Sequence, residues 1–194
     1  MGILLNSGNT EFEEAVNAEI YVDKTLLIEY ANRVLRTPQK YICVSRPRRF
    51  GKSMAANMLT AYYSKGCDSR ELFSPYKISE SDSFEKHLNK YNVIHINMVE
   101  YLTEAKSIEN LIKYIEDDII GEITDSMPEL VMPRRISLTK VLTSAFNQFK
   151  IPFIFIIDEW DCIFRKSSIR SEEYTAYLDF LRTLLKDQSY VALA

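Results

Sequence analysis

The chain is poor in the residues that build metal and disulfide frameworks. Its 194 residues include two histidines, His87 and His95, and three cysteines, Cys43, Cys67 and Cys162. Two histidines exclude a histidine-rich metal site. An odd number of cysteines without paired spacing reads as reduced, buried thiols, not as a disulfide or zinc framework. Long apolar runs are also missing: the longest, residues 151–157, is far short of the roughly 20 residues of a membrane span. Residues 1–5 lack the basic start and long apolar core of a signal peptide. Asn6 stands where a myristoylation signal has Ser or Thr. Nor is there an excess of charge of one sign. A net charge of −3 argues against a generally nucleic-acid-binding surface, while leaving room for a local basic patch. These absences predict a soluble, cytoplasmic chain with no membrane partner.

With 46% apolar residues, the length supports one domain with a full core. We expect a lead-in over residues 1–38 and a core over 39–194. The organising stretch is 41–64, YICVSRPRRFGKSMAANMLTAYYS. An apolar run over 41–44 predicts a strand. A basic turn follows, then Gly51-Lys52-Ser53, then a run of good helix formers from Met54. Strand, turn, Gly-Lys-Ser and helix form the context of a phosphate-binding loop. Gly51 lets backbone approach phosphate, Lys52 brings a compact positive charge, and the Ser53 hydroxyl suits Mg²⁺. The full pattern places a glycine five residues before Gly51, and Arg46 stands there instead. By pattern alone the match is half, and a basic helix N-terminus on any α/β protein is the plain alternative.

Residues 153–161, FIFIIDEWD, read as a buried parallel strand ending in adjacent carboxylates. Ligands of open α/β sheets bind at that end. Asp158 is the candidate Mg²⁺ ligand beside Ser53. Glu159 is the candidate base for an attacking water, with Lys52 as its catalytic partner on the phosphates. The plain alternative is a core strand with a solvated exit.

Three segments together, Tyr21-Val22-Asp23-Lys24-Thr25, Arg46-Pro47-Arg48-Arg49-Phe50-Gly51-Lys52-Ser53 and Ile157-Asp158-Glu159-Trp160-Asp161, resemble the predicted AAA-ATPase-like family of bacteria. The resemblance implies that the Arg-Pro-Arg-Arg-Phe-Gly-Lys-Ser stretch is the family's own Walker A loop, which accounts for Arg46. It assigns Arg46, Pro47, Arg48, Arg49, Phe50, Gly51, Lys52, Ser53 and Met54 to ATP binding, and 153–158 to the Walker B strand. Trp160 and Ile163 depart from the family's usual tyrosine and proline without touching a proposed ligand. Members typically run on past this length, often into a nuclease domain. The implied fold is an α/β P-loop NTPase of the additional-strand, AAA-like division: a mostly parallel sheet with helices on both faces. Its fourth strand, placed here at 190–194, lies between the P-loop and Walker B strands. No polar sensor residue is visible there, so slow hydrolysis is expected, from an incomplete domain.

Between these landmarks, a short helix is expected over 11–17, in an otherwise loosely patterned start. Asp23 is expected to cap a helix over 24–35; the resemblance implies that this segment approaches the nucleotide base, and the plain alternative is that Asp23 only caps and Lys24 is only solvated. A second strand is expected over 93–98, with His95 as a satisfied, partly buried histidine. Helices are expected over 107–124 and from Ser137 through Phe149, a basic loop over 162–170, and a helix over 171–186 buried along Tyr174, Tyr177, Leu178, Leu181 and Leu185. Three functions stay open: an ATPase driving a conformational change, a nucleotide switch or assembly module with little hydrolysis, and a nucleic-acid-handling module using the arginine-rich loop. ATP and Mg²⁺ are the expected ligands. DNA, a nuclease domain of a longer protein, or a second copy are the open partners. Arg48 and Arg49 are expected to point outward to such a partner.

Overall fold

Hydrophobic alternation on the middle strand builds a three-layer molecule. The computed structural model describes residues 2–45, 50–166 and 169–194. In chain order its elements are α1 (Thr10–Val16), α2 (Leu26–Val34), α3 (Lys52–Tyr63), α4 (Arg70–Phe73), α5 (Phe84–His87), β1 (Asn92–Asn97), α6 (Met98–Glu104), α7 (Ile108–Ser126), α8 (Leu138–Phe149), β2 (Phe153–Asp158), α9 (Ser171–Leu185) and β3 (Val191–Leu193). Short 3₁₀ turns lie at Lys77–Glu80 and Cys162–Arg165. Among the described residues the sheet is β1-β2-β3, parallel throughout.

Along β2, Phe153 and Phe155 face one cluster while Ile154 and Ile156 face the other. The first cluster packs α6, α7, α8 and α9 beneath the sheet; the second packs α1, α2 and α3 above it. Residues buried on both faces are what a parallel sheet between helical layers requires. Helix α7 shows the same logic at helical spacing: Ile108, Leu111, Ile115, Ile119 and Ile123 are all buried. The Ser107 hydroxyl caps it, accepting from the Asn110 N–H at 3.2 Å.

The expected strand at 41–44 is the main correction. These residues form no strand, yet they run beside β3. The Ala194 N–H donates to Lys40 O at 3.0 Å, and the Ile42 N–H donates to Ala194 O at 2.8 Å. That bond pair is one rung of parallel pairing. β3 therefore lies between β2 and this segment, as the additional-strand topology demands. At the opposite edge, the loosely patterned N-terminus covers β1. Leu5 bridges Ile94 antiparallel, and Asn6 N–H donates to Val93 O at 2.8 Å. The Glu122 carboxylate accepts from the N–H groups of Ile3, Leu4 and Leu5, fixing this cover in place.

Other expectations shift for local reasons. Helix α6 was not foreseen, because Asn97 reads as the end of a strand while its side chain caps the next helix, accepting from Val99 N–H at 3.1 Å. Thr25, not Asp23, occupies the N-cap of α2; Asp23 accepts from the Thr25 and Lys77 N–H groups. The 162–170 loop contains a 3₁₀ turn whose Cys162 and Ile163 are buried. Helix α9 begins at Ser171, as expected, with Arg170 as its N-cap: the Arg170 N–H donates to the Glu173 carboxylate at 3.0 Å and the Glu173 N–H donates to Arg170 O at 3.0 Å. Leu178 is exposed and Leu184 buried. Of the three cysteines only Cys162 is buried; Cys43 is exposed, and all three are free thiols.

Candidate functional site

Gly51 sets the geometry of the loop's end. It is the N-cap of α3 with φ +76°, in the left-handed region that glycine enters without steric cost. A Cβ there would also lie 2.9 Å from the Lys24 ammonium nitrogen. Lys24 is not merely solvated: its Nζ donates to Phe50 O at 3.0 Å, tying the residue before Gly51 to the start of α2. Lys52, Ser53 and Met54 form the first turn of α3. The opening amides of a helix have no carbonyl partner within it and point along the positive end of its dipole, which makes this turn suited to an anion. Phe50 is largely exposed. Arg46, Pro47, Arg48 and Arg49 lie outside the described residues, as does the expected outward direction of Arg48 and Arg49.

Strand β2 brings the carboxylates to the same end. Asp158 is its last residue, in register with Asn97 of β1. Asp158 Oδ1 accepts from the Glu159 N–H at 2.9 Å. Glu159 then turns the chain with φ +52°, and Cys162 N–H donates to its carbonyl at 2.9 Å. The Glu159 carboxylate is ion-paired with the Arg165 guanidinium, which also comes within 3.6 Å of Asp161. The hydrogen bond that Arg165 donates to the Glu159 carboxylate raises that guanidinium above its ordinary value.

Two openings border this region. One is an open cleft of about 520 Å³ lined by Gly51, Lys52, Ser53, Met54, Val99, Glu159 and Arg165. It joins the helix start to the candidate base. The other, about 460 Å³, lies between residues 41–45 and the Phe155–Asp161 stretch. Its upper wall is Leu27, Ala31, Ala55, Ala56 and Leu59, its lower wall Leu181 and Leu185, and its floor Leu193 and Ala194. Lys52 and Glu159 border both.

Of the residues singled out in sequence, the structure thus gathers Gly51, Lys52, Ser53, Met54 and Glu159 around one cleft. Asp158 borders the neighbouring cavity with Lys52. Phe50 stays outside both. Arg165 and Lys24 were missed as site residues. Arg165 sits six positions after Glu159 in a stretch read as basic loop, and only the 3₁₀ turn brings it back. His95, one strand over, is partly buried, as expected, and burial holds it below its usual range. No group of three or more His, Cys, Asp or Glu side chains capable of holding a metal occurs among the described residues. Hard-oxygen donors on Ser53 and Asp158 fit Mg²⁺, which keeps several waters and takes one or two protein ligands plus phosphate oxygens.

The family model described as Predicted AAA-ATPase matches residues 7–190. The chain belongs to the AAA-ATPase-like family. That membership carries nucleotide binding and ATPase chemistry as the family's character, with the α/β fold described above. No curated protein matches the chain, and no solved structure does. Among the described residues, no helix of this AAA-ATPase-like chain is long and apolar enough to cross a membrane.

Proposed function

We propose that the chain binds ATP with Mg²⁺ in the cleft at the start of α3 and hydrolyses it slowly, coupling nucleotide state to the elements that follow β2. One observation carries this reading: the first turn of α3 and Glu159 line the same open cleft. Backbone amides and Lys52 receive the phosphates. Ser53 and Asp158 hold the metal, which neutralises charge on the phosphoryl oxygens. Glu159 orients and deprotonates the water.

A switch with little turnover is favoured by a specific feature: the Glu159 carboxylate is ion-paired with the Arg165 guanidinium. The reading extends to a partner that senses the nucleotide state. A nuclease domain, DNA or a second copy are the candidates, all met through surfaces outside the cleft.

The test separates binding from turnover. Glu159→Gln should keep or gain affinity for a fluorescent ATP analogue and lose about 10²–10⁴-fold in phosphate release, the usual range for a general base. Asp158→Asn should instead weaken binding in the presence of Mg²⁺, and EDTA should reproduce that loss in the parent. Undiminished phosphate release by Glu159→Gln would make Glu159 structural and leave the switch reading in front.

A further inference from the structure

We infer that Arg165 is a positioning residue that holds Glu159 out of action until the terminal phosphate of a nucleoside triphosphate takes its guanidinium. The inference rests on the nucleotide reading of the cleft and adds to it a residue that distinguishes triphosphate from diphosphate.

The geometry places Arg165 between two calls on its charge. On one side it is ion-paired with Glu159 and near Asp161. On the other it lines the cleft formed by Gly51, Lys52, Ser53 and Met54. Its position relative to Glu159 is fixed. The 3₁₀ turn that carries it begins with the Cys162 N–H bond to Glu159 O at 2.9 Å, and Cys162 and Ile163 are buried beneath it. The guanidinium itself is only partly covered, with its side chain 35% exposed, so it can change partners without unpacking the core.

Chemistry decides which partner wins. A carboxylate held by guanidinium is a poorer base, because the neighbouring cation stabilises its ionised form. A terminal phosphate offers more charge and a bidentate acceptor that a planar guanidinium fits. Its arrival draws Arg165 toward the cleft and releases Glu159 to the water. A diphosphate ends short of that position and leaves the pair closed. The pair therefore suppresses idle water activation in the empty and post-hydrolysis states.

The experiment compares dissociation constants for fluorescent ATP and ADP analogues, in Mg²⁺, across the parent, Arg165→Ala, Arg165→Lys, Glu159→Gln and the Arg165→Ala/Glu159→Gln double variant. Arg165→Ala should weaken ATP binding about tenfold, one charge-assisted contact, and leave ADP binding within about twofold. Arg165→Lys should fall between. Glu159→Gln alone should tighten ATP a few-fold by freeing the guanidinium, and should have no such effect once Arg165 is removed, a coupling read from the cycle. Equal losses for both nucleotides, no loss for either, or additive effects in the cycle would overturn the inference while leaving the nucleotide reading intact. Failure of the parent to bind either nucleotide would overturn both.

Discussion

The cleft at the start of α3 and the cavity beside residues 41–45 share Lys52 and Glu159 and differ little in volume, about 520 against 460 Å³. Their walls differ in kind. The cleft is built from the first turn of a helix, a left-handed glycine, a carboxylate and a guanidinium. The cavity is built mainly from aliphatic side chains of α2, α3 and α9, with Asp158 and Asp161 at its edge beside the shared Lys52 and Glu159. Its register explains what it is. β3 pairs with β2 only as far as Ile154, while β2 runs on through Asp158 beside β1. On the far side, residues 42–45 run on past the single rung at Ala194. Four residues of β2, about 13 Å at 3.3 Å per residue, thus face the cavity with no paired strand on that edge among the described residues. We propose that only the cleft receives phosphate. Size does not separate the two; the helix start behind Gly51 and the Arg165 guanidinium, which line the cleft alone, do.

The comparison can be broken first at Gly51. Gly51→Ala puts a side chain in the left-handed region and against Lys24 Nζ, so it should cost about 1–2 kcal/mol and lower the melting temperature by about 2–8 °C for a domain of this size. ATP-analogue affinity should fall about tenfold, because the first turn of α3 moves with the strain. Gly66→Ala is the control: Gly66 also has positive φ, yet a Cβ there meets nothing within 4 Å. It should share the stability cost and keep the affinity.

How much of this was legible in the sequence depends on how local each signal is. Gly51-Lys52-Ser53 and the run ending at Asp158-Glu159 announced the two halves of the cleft, because composition at a strand end and a helix start is a short-range property. The alternation of Phe153, Ile154, Phe155 and Ile156 announced a two-faced buried strand. The strand expected at 41–44 was not realised, since an apolar run cannot say how many rungs its neighbour offers. Arg165 was read as loop, because its relation to Glu159 depends on a 3₁₀ turn seated on two buried side chains. The sequence leaves Lys24 open between solvent and the site, because its acceptor, Phe50 O, lies 26 positions away. The antiparallel cover of β1 by Leu4–Asn6 was invisible for the same reason.

A smaller effect should come from pH. Burial lowers His95, and His87 as well, below the ordinary 6.5. The unfolded chain then takes up these protons before the folded one as pH falls. Stability should therefore be full above about pH 6.5 and decline below it. Glu11, Asp158 and Glu100 oppose the shift at His95, so its share is modest. Melting curves between pH 7.5 and 5.5 should show a shallower decline in His95→Gln than in the parent; identical slopes would assign the effect elsewhere.

The most direct measurement is a titration of a fluorescent ATP analogue, with Mg²⁺, against the parent, Lys52→Ala and Leu185→Trp. Lys52 borders both openings, whereas Leu185 lines the cavity alone. If the cleft receives the phosphates, Lys52→Ala abolishes measurable binding with an unchanged circular dichroism spectrum, and Leu185→Trp binds within twofold of the parent. Binding that survives Lys52→Ala, or that Leu185→Trp removes, would contradict the assignment of phosphate to the cleft.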